Sequence, residues 1–193
     1  MKTKLMILLA AATMFVACGG NNSKKTTGPT TEVAQNTTSM EIDAVLAGAE
    51  ELTNQTIVLE GICTHNCKHG GTKIFMMGSD DTKTIRIEAC ELGSFDQKCV
   101  NSIVKVNGIL REERVDEAYL QRWEAAVAAQ TAEQHGEVEA GCDSEKAARG
   151  ETGNTVAERI ADFRTKIAAR KAAVGKEYLS FYYVEALSYE IVE

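Results

Sequence analysis

The sequence predicts a mainly β domain of the α+β class, a small five-stranded barrel carrying a helical insertion. Three observations point there. Five segments read as strands, the first of them bent by an internal glycine. The first three strands form a turn-rich meander. Between the fourth and fifth strands the apolar period changes from two to a helical spacing and back again.

The chain of 193 residues suffices for one ordinary domain, with 44% apolar and 25% charged residues, the balance of a soluble globular protein. The N-terminus reads as a targeting segment. Met1-Lys2-Thr3-Lys4 is a positive n-region, and Leu5 to Val16 is an apolar stretch of signal-peptide length. It closes in Phe15-Val16-Ala17-Cys18-Gly19, where small residues precede a cysteine as in a bacterial lipobox. Residues 1–17 are expected to be removed and Cys18 to carry the lipid anchor, palmitate included. Each buried methylene of such chains contributes ~0.8 kcal/mol. Residues 18–38, rich in Asn, Ser, Thr, Lys and Gly, are expected to be a flexible tether. The only proline, Pro29, falls inside it.

The domain is expected over 39–193. Ser39 to Glu51, with Met40, Ile42, Val45 and Leu46, predicts a short amphipathic helix capped by Ser39. Gln55 to Cys67 is the first strand, with Gly61 at its bend, and His69-Gly70-Gly71 signals a turn. Thr72 to Gly78 is the second strand. Thr84 to Cys90 is the third, alternating Ile85, Ile87 and Ala89 against Arg86, Glu88 and Cys90. Ser102 to Val115 is the fourth, with Val104, Val106, Gly108 and Leu110 on one face.

The insertion spans about 116–175. Tyr119, Leu120, Trp123, Ala126, Val127 and Gln130 follow helical spacing. Val156, Ile160, Phe163, Ile167 and Val174 recur close to a heptad seam. The polar stretch between them predicts an antiparallel hairpin with its tip near Gly141 to Gly153. Trp123 is expected to dock the hairpin on the barrel or pack within it. Tyr178 to Glu193 is the last strand. Five strands in this arrangement match the OB-like Greek-key barrel.

The chemistry concentrates in Ile62 to Lys73, where Cys63, His65, Cys67 and His69 fall at every second position. On a regular strand such residues share one face. Thiolate and imidazole suit zinc, copper or iron. A straight strand cannot gather all four, because at ~3.3 Å per residue Cys63 and His69 would lie ~20 Å apart. A glycine turn that reverses the chain would leave His65, Cys67 and His69 as the candidate ligands, with Cys63 or Cys90 as a fourth. The competing reading buries the cysteines or bridges them: Cys63 or Cys67 with Cys90, or Cys90 with Cys99. Cys63 and Cys67 are ~13 Å apart on a straight strand, beyond the ~7 Å Cα limit for a mutual bridge. Five cysteines follow Cys18 (Cys63, Cys67, Cys90, Cys99 and Cys142), so at least one stays outside intrachain disulfides. Cys142, in the polar tip, is expected to be an exposed thiol.

Other chemistries are weakly supported. A net charge of −7 argues against nucleic-acid binding, which needs a basic footprint. No hydrolase signature or phosphate-binding glycine loop occurs. A thiol oxidoreductase is the one enzymatic alternative, and Cys-x-x-x-Cys on a strand is a poor version of its usual motif. Glu88, Glu112 and Glu113 read as solvated faces. A non-catalytic scaffold using the hairpin to hold an envelope protein is the other alternative.

Val58-Leu59-Glu60-Gly61, Cys63 to Gly71, Ile85 to Ala89 and Val104 to Glu112 together resemble a group of Bacteroidota-type lipoproteins. These combine a lipobox, a T-H-x-C-K-H-G-G turn and an OB-like core, and the resemblance covers residues 55–193. It implies the fold and a lipid-anchored place in the bacterial cell envelope, on the periplasmic side of the outer membrane, and no activity. A looser similarity to periplasmic OB proteins such as the haem chaperone of cytochrome c maturation is not expected to carry the haem role, because that family's haem-attaching histidine beyond the last strand has no counterpart up to Glu193.

Overall fold

A computed structural model describes residues 38–68, 70–133 and 143–192. The leader, the tether with Cys18, and His69 and Cys142 lie outside the described residues. The domain is a closed barrel of mixed strands with one short extra strand and helices packed on it. Its elements in order are β1 (Met40–Glu41), α1 (Ile42–Ala47), α2 (Ala49–Leu52), β2 (Thr56–Asn66), β3 (Lys73–Met77), β4 (Thr84–Glu88), β5 (Ile103–Val115), α3 (Glu117–Glu133), α4 (Asp143–Ala148), α5 (Val156–Val174) and β6 (Leu179–Val192). Two 3-10 turns, Cys90–Leu92 and Gln97–Cys99, bridge β4 and β5.

The strand order is β1-β2-β3-β4-β6-β5, and a β2–β5 pairing closes the ring. All contacts among the five barrel strands are antiparallel except β4 with β6, which run parallel. This is the OB-like barrel that the five strand patterns predict. β2 serves two neighbours: Thr56 to Ile62 pair with β5, and Ile62 to Asn66 pair with β3. Gly61 sits at the handover, where a Cβ would overlap Ile42 and reach the Met77 carbonyl, so only glycine lets β2 turn the corner this tightly.

The barrel interior is filled by the inward alternation of each strand. Leu59, Cys63, Ile74, Met76, Ile85, Ile87, Val104, Val106, Leu110 and Val184 form one buried cluster. Ile42, Val45 and Ala49 plug one end of it. The N-terminal helix differs from expectation. Met40 and Glu41 pair in parallel with β2, helix begins only at Ile42, and Gly48 splits it in two. Ser39 is therefore not its cap. The anchor is instead Asp43, whose carboxylate accepts from the Ser79 amide at 2.8 Å and hydroxyl at 2.7 Å.

The insertion builds a second cluster from Val115, Leu120, Ile160 and Phe163. Phe163 lies between Trp123 and Phe181, with ring centroids 6.3 and 5.8 Å away, and Arg159 stacks 4.7 Å over the Trp123 ring. Trp123 thus docks helix on helix as well as helix on barrel. α5 starts on a capping box: Thr155 Oγ1 accepts from the Glu158 amide and Glu158 accepts from the Thr155 amide. Its seam stops early, since Val174 is 64% exposed. The larger difference is at the expected hairpin tip. Asp143–Ala148 forms α4, and its end is pinned to the barrel wall through Arg86 and Glu113. Among the described residues no helix is long and apolar enough to cross a membrane.

Candidate metal-binding turn and the face beside it

A β-bulge falls between Cys63 and His65, and it changes which way the cysteine–histidine row points. Up to Cys63 the odd-numbered residues of β2 face inward; beyond the bulge Asn66 does. Cys63 is fully buried in the barrel core, with its thiol donating to the His65 carbonyl at 3.5 Å. Burial, more than any neighbouring charge, pushes that thiol above its usual range. His65 and Cys67 are half-buried on the outward side, flanking the inward Asn66. The four-residue row that a regular strand would align is divided: Cys63 inside, His65 and Cys67 outside.

The chain then reverses. The Cys67 amide donates to the Lys73 carbonyl at 2.8 Å, and the Gly71 amide donates back to the Cys67 carbonyl at 3.0 Å. Gly70 and Gly71 have φ of 78° and 65°, the left-handed conformation that side chains resist and that two consecutive glycines permit. The turn is clamped from behind. Asn66 Nδ2 donates to the Phe95 and Asp96 carbonyls at 3.2 and 3.3 Å, and the Phe95 amide donates to the Gly71 carbonyl at 2.8 Å. Among the described residues no three His, Cys, Asp or Glu side chains gather as a metal site; His69, the remaining candidate, lies outside them.

The other cysteines separate by environment. Cys99 is fully buried in the same apolar cluster as Cys63. Its thiol is raised to about 11, first by burial and then by the Cys63 thiol and Asp96. Cys90 is exposed at a φ of 47°, and burial followed by Glu185, Glu88 and Glu91 raises its thiol. A redox nucleophile needs the opposite shift.

Beside the turn lies a face that sequence reading did not single out. His65, Phe75, Arg86, Tyr183 and Arg111 are direct register partners across β2, β3, β4, β6 and β5. The His65 ring tilts against Phe75 at 5.8 Å, and the Arg86 guanidinium stacks 4.8 Å from the Tyr183 ring. Phe75 points outward yet is 1% exposed, facing a cavity that Glu145 and Ala148 of α4 help to line. The cavity is about 140 Å³ and is lined by Phe75, Arg86, Glu145, Arg149 and Phe181 among others. Arg86 pairs with Glu145 at 2.7 Å and with Glu113 at 3.4 Å, and Arg149 pairs with Glu113 at 2.6 Å. Glu113 is therefore a structural counter-ion and not the solvated residue its strand position suggests. No local signal could have found this, since Arg86 and Glu145 are 59 residues apart.

No protein-family model matches the chain. No curated protein matches it. Among solved structures, it is similar to a putative aspartyl-tRNA synthetase from Leishmania major Friedlin, at 15% identity and a TM-score of 0.29, over 45% of this chain and 18% of that one. It is also similar to an aspartyl tRNA synthetase from Entamoeba histolytica, at 15% identity and a TM-score of 0.28, over 88% of this chain and 43% of the other. The chain thus spans less than half the length of either, and likenesses this distant carry no argument about its function.

Proposed function

We propose that the protein is a lipid-anchored, extracytoplasmic binding module that captures a transition metal at the turn after β2. The observation that carries this reading is the divided row: Cys63 keeps the inward alternation of β2, the bulge after it turns His65 and Cys67 to the outward side, and the glycine pair folds the chain back directly after them. The turn sequence adds His69, so two imidazoles and a thiolate come from five consecutive residues. That donor set is soft to borderline and fits zinc, copper(I) or iron better than magnesium or calcium. Cys63, fully buried and bonded to a backbone carbonyl, is not the fourth ligand in this reading. Acylated Cys18, joined by the 18–38 tether, would hold the module at the periplasmic side of the outer membrane.

The fold gives such a module a rigid base. The ligand-bearing strand end is tied to β3 by ladder bonds and to the 3-10 turns by Asn66, so metal binding would pay little ordering entropy. The raised thiols of Cys63, Cys90 and Cys99 weigh against the thiol oxidoreductase reading.

The test is elemental analysis of the full chain recovered from the cell envelope, with zinc and copper(I) titrations of the purified protein. Stoichiometric metal that is lost in His65→Ala, Cys67→Ser and His69→Ala variants and kept in Cys63→Ala supports the reading. Absence of metal together with Cys67 found in a disulfide overturns it. The anchor is tested separately: acyl chains detected by mass spectrometry on Cys18 should disappear in Cys18→Ser.

A further inference from the structure

We infer that Cys63 and Cys99 are a disulfide pair: an intramolecular bond joins β2 to the turn before β5 once the chain meets a disulfide oxidant. The backbone brings the two residues to one place. The Cys63 amide donates to the Ser102 carbonyl at 3.0 Å, and the Asn101 amide donates to the Cys63 carbonyl at 2.8 Å, so Cys63 sits opposite the Asn101–Ser102 step. The Ser102 amide in turn donates to the Cys99 carbonyl at 3.0 Å, and Asn101 takes a φ of 64°, which curls Cys99 back over that step. Both side chains end in the same apolar cluster at 0% exposure. Among the described cysteines no other is buried: Cys67 is half-buried and Cys90 exposed. The influence of the Cys63 thiol on Cys99 agrees with their proximity.

Two adjacent thiols in an apolar interior have little use for their protons, since the surroundings offer few acceptors; Cys63 finds only the His65 carbonyl, at 3.5 Å. Oxidation removes both weak donors from the core. The step balances as thiol–disulfide exchange. One thiolate attacks the oxidant's disulfide and forms a mixed disulfide, the second thiolate displaces the remaining oxidant sulfur, and two reduced oxidant thiols leave with the two protons. The oxidant is a small-molecule or protein disulfide, of the kind present outside the cytoplasm. Because neither thiol is accessible in the folded barrel, the exchange proceeds while β2 and the 97–99 turn are open, and the finished bond is shielded afterwards. The bond is independent of the metal reading, and it leaves Cys67 a free thiol.

The experiment uses the reduced full chain, unfolded in denaturant and then diluted into buffer containing reduced and oxidised glutathione, so that exchange continues as the barrel closes. Remaining thiols are alkylated under full denaturation without reductant and mapped by peptide mass spectrometry. The expected result is one cross-linked peptide pair joining Cys63 to Cys99, a mass lower by two hydrogens, and a higher thermal midpoint that added reductant reverses. Cys99→Ala should leave Cys63 fully alkylated, whereas Cys67→Ser and Cys90→Ser should keep the cross-link. Full alkylation of both Cys63 and Cys99 after oxidation, or a bridge from Cys63 to Cys67 or Cys90, overturns the assignment. Labelling is read on unfolded chains, so a variant that folds poorly still reports.

Discussion

Replacing Gly71 by alanine perturbs the turn at its most crowded point. At a φ of 65° an L side chain is strained, and the left-handed conformation costs ~1–2 kcal/mol. The new Cβ would also stand 3.2 Å from the Phe95 carbonyl oxygen, 3.5 Å from Asn66 Oδ1 and 3.6 Å from Ser94 Cβ. That carbonyl accepts from Asn66, and the Phe95 amide donates to Gly71, so relief of the contact pulls on two hydrogen bonds. Weakening one of them adds ~0.5–1.5 kcal/mol. Gly70 is the internal control. Its φ of 78° brings similar strain, but a Cβ there meets only Thr72 Cγ2, at 3.7 Å. Gly71→Ala is therefore expected to cost ~2–3 kcal/mol and Gly70→Ala only the ~1–2 kcal/mol of the left-handed conformation. Urea unfolding of the two variants and the parent, read at constant slope, measures the difference. Under the proposed function both variants also bind metal more weakly, because both disturb the reversal between Cys67 and Lys73. If Gly71→Ala proves no less stable than Gly70→Ala, the clamp of the Phe95 segment on the turn is refuted.

Phe163→Ala should remove ~3–5 kcal/mol, the usual range for a large aromatic deleted from a packed site, because Phe163 is fully buried between Trp123 and Phe181; a loss under 1 kcal/mol in urea unfolding would mean the insertion is not packed as described. Arg149→Met should cost ~1–3 kcal/mol, because half-buried Glu113 loses its 2.6 Å partner and keeps only Arg86 at 3.4 Å, and the double variant with Glu113→Gln should recover part of it. In the reduced protein Cys99 ionises at about 11 when folded, against 9.0 as its ordinary value. Its contribution is thus fully present below pH 9 and is lost as pH rises towards 11. Unfolding followed up this pH range should show a smaller loss in Cys99→Ala than in the parent, the remainder coming from the raised thiols of Cys63 and Cys90. Hydrogen bonds from Arg164 hold the Glu117 and Glu124 carboxyls below their ordinary range. They stabilise the fold above the ordinary carboxylate range, and this is lost as pH falls through their lowered values, so Arg164→Gln should flatten the acid limb of the stability profile.

The strands were legible because they carry period-two alternation strong enough to decide their faces. Ile85 and Ile87, and Val104 and Val106, point inward as their pattern dictates. Gly61 could be read as a bend and Gly70-Gly71 as a turn, since only those backbone conformations need glycine at those points. The helical insertion followed from Leu120, Ile160 and Phe163 at helical spacing. The capping box at Thr155 was available in the sequence as Thr-x-x-Glu.

What tertiary structure decided are features set by residues distant in the chain. The bulge between Cys63 and His65 arises where β2 leaves one neighbour and continues on another, and pattern alone cannot locate a slipped register. It is this slip that leaves His65 and Cys67 outside, while Cys63, just before it, keeps the inward alternation that takes it into the core with Cys99. The split of the first helix, with Met40 and Glu41 recruited as a strand, depends on an open edge of β2. The docking of α4 on the barrel wall depends on Arg86 and Glu113, which local reading assigns to solvent. The sequence by itself determined a five-stranded barrel, its insertion and the stretch where thiols and imidazoles concentrate, because hydrophobic period and glycine placement are local. Which of those thiols face each other and which face outward was decided only by the closing of the barrel, because a single residue of register moves a side chain from one face of a strand to the other.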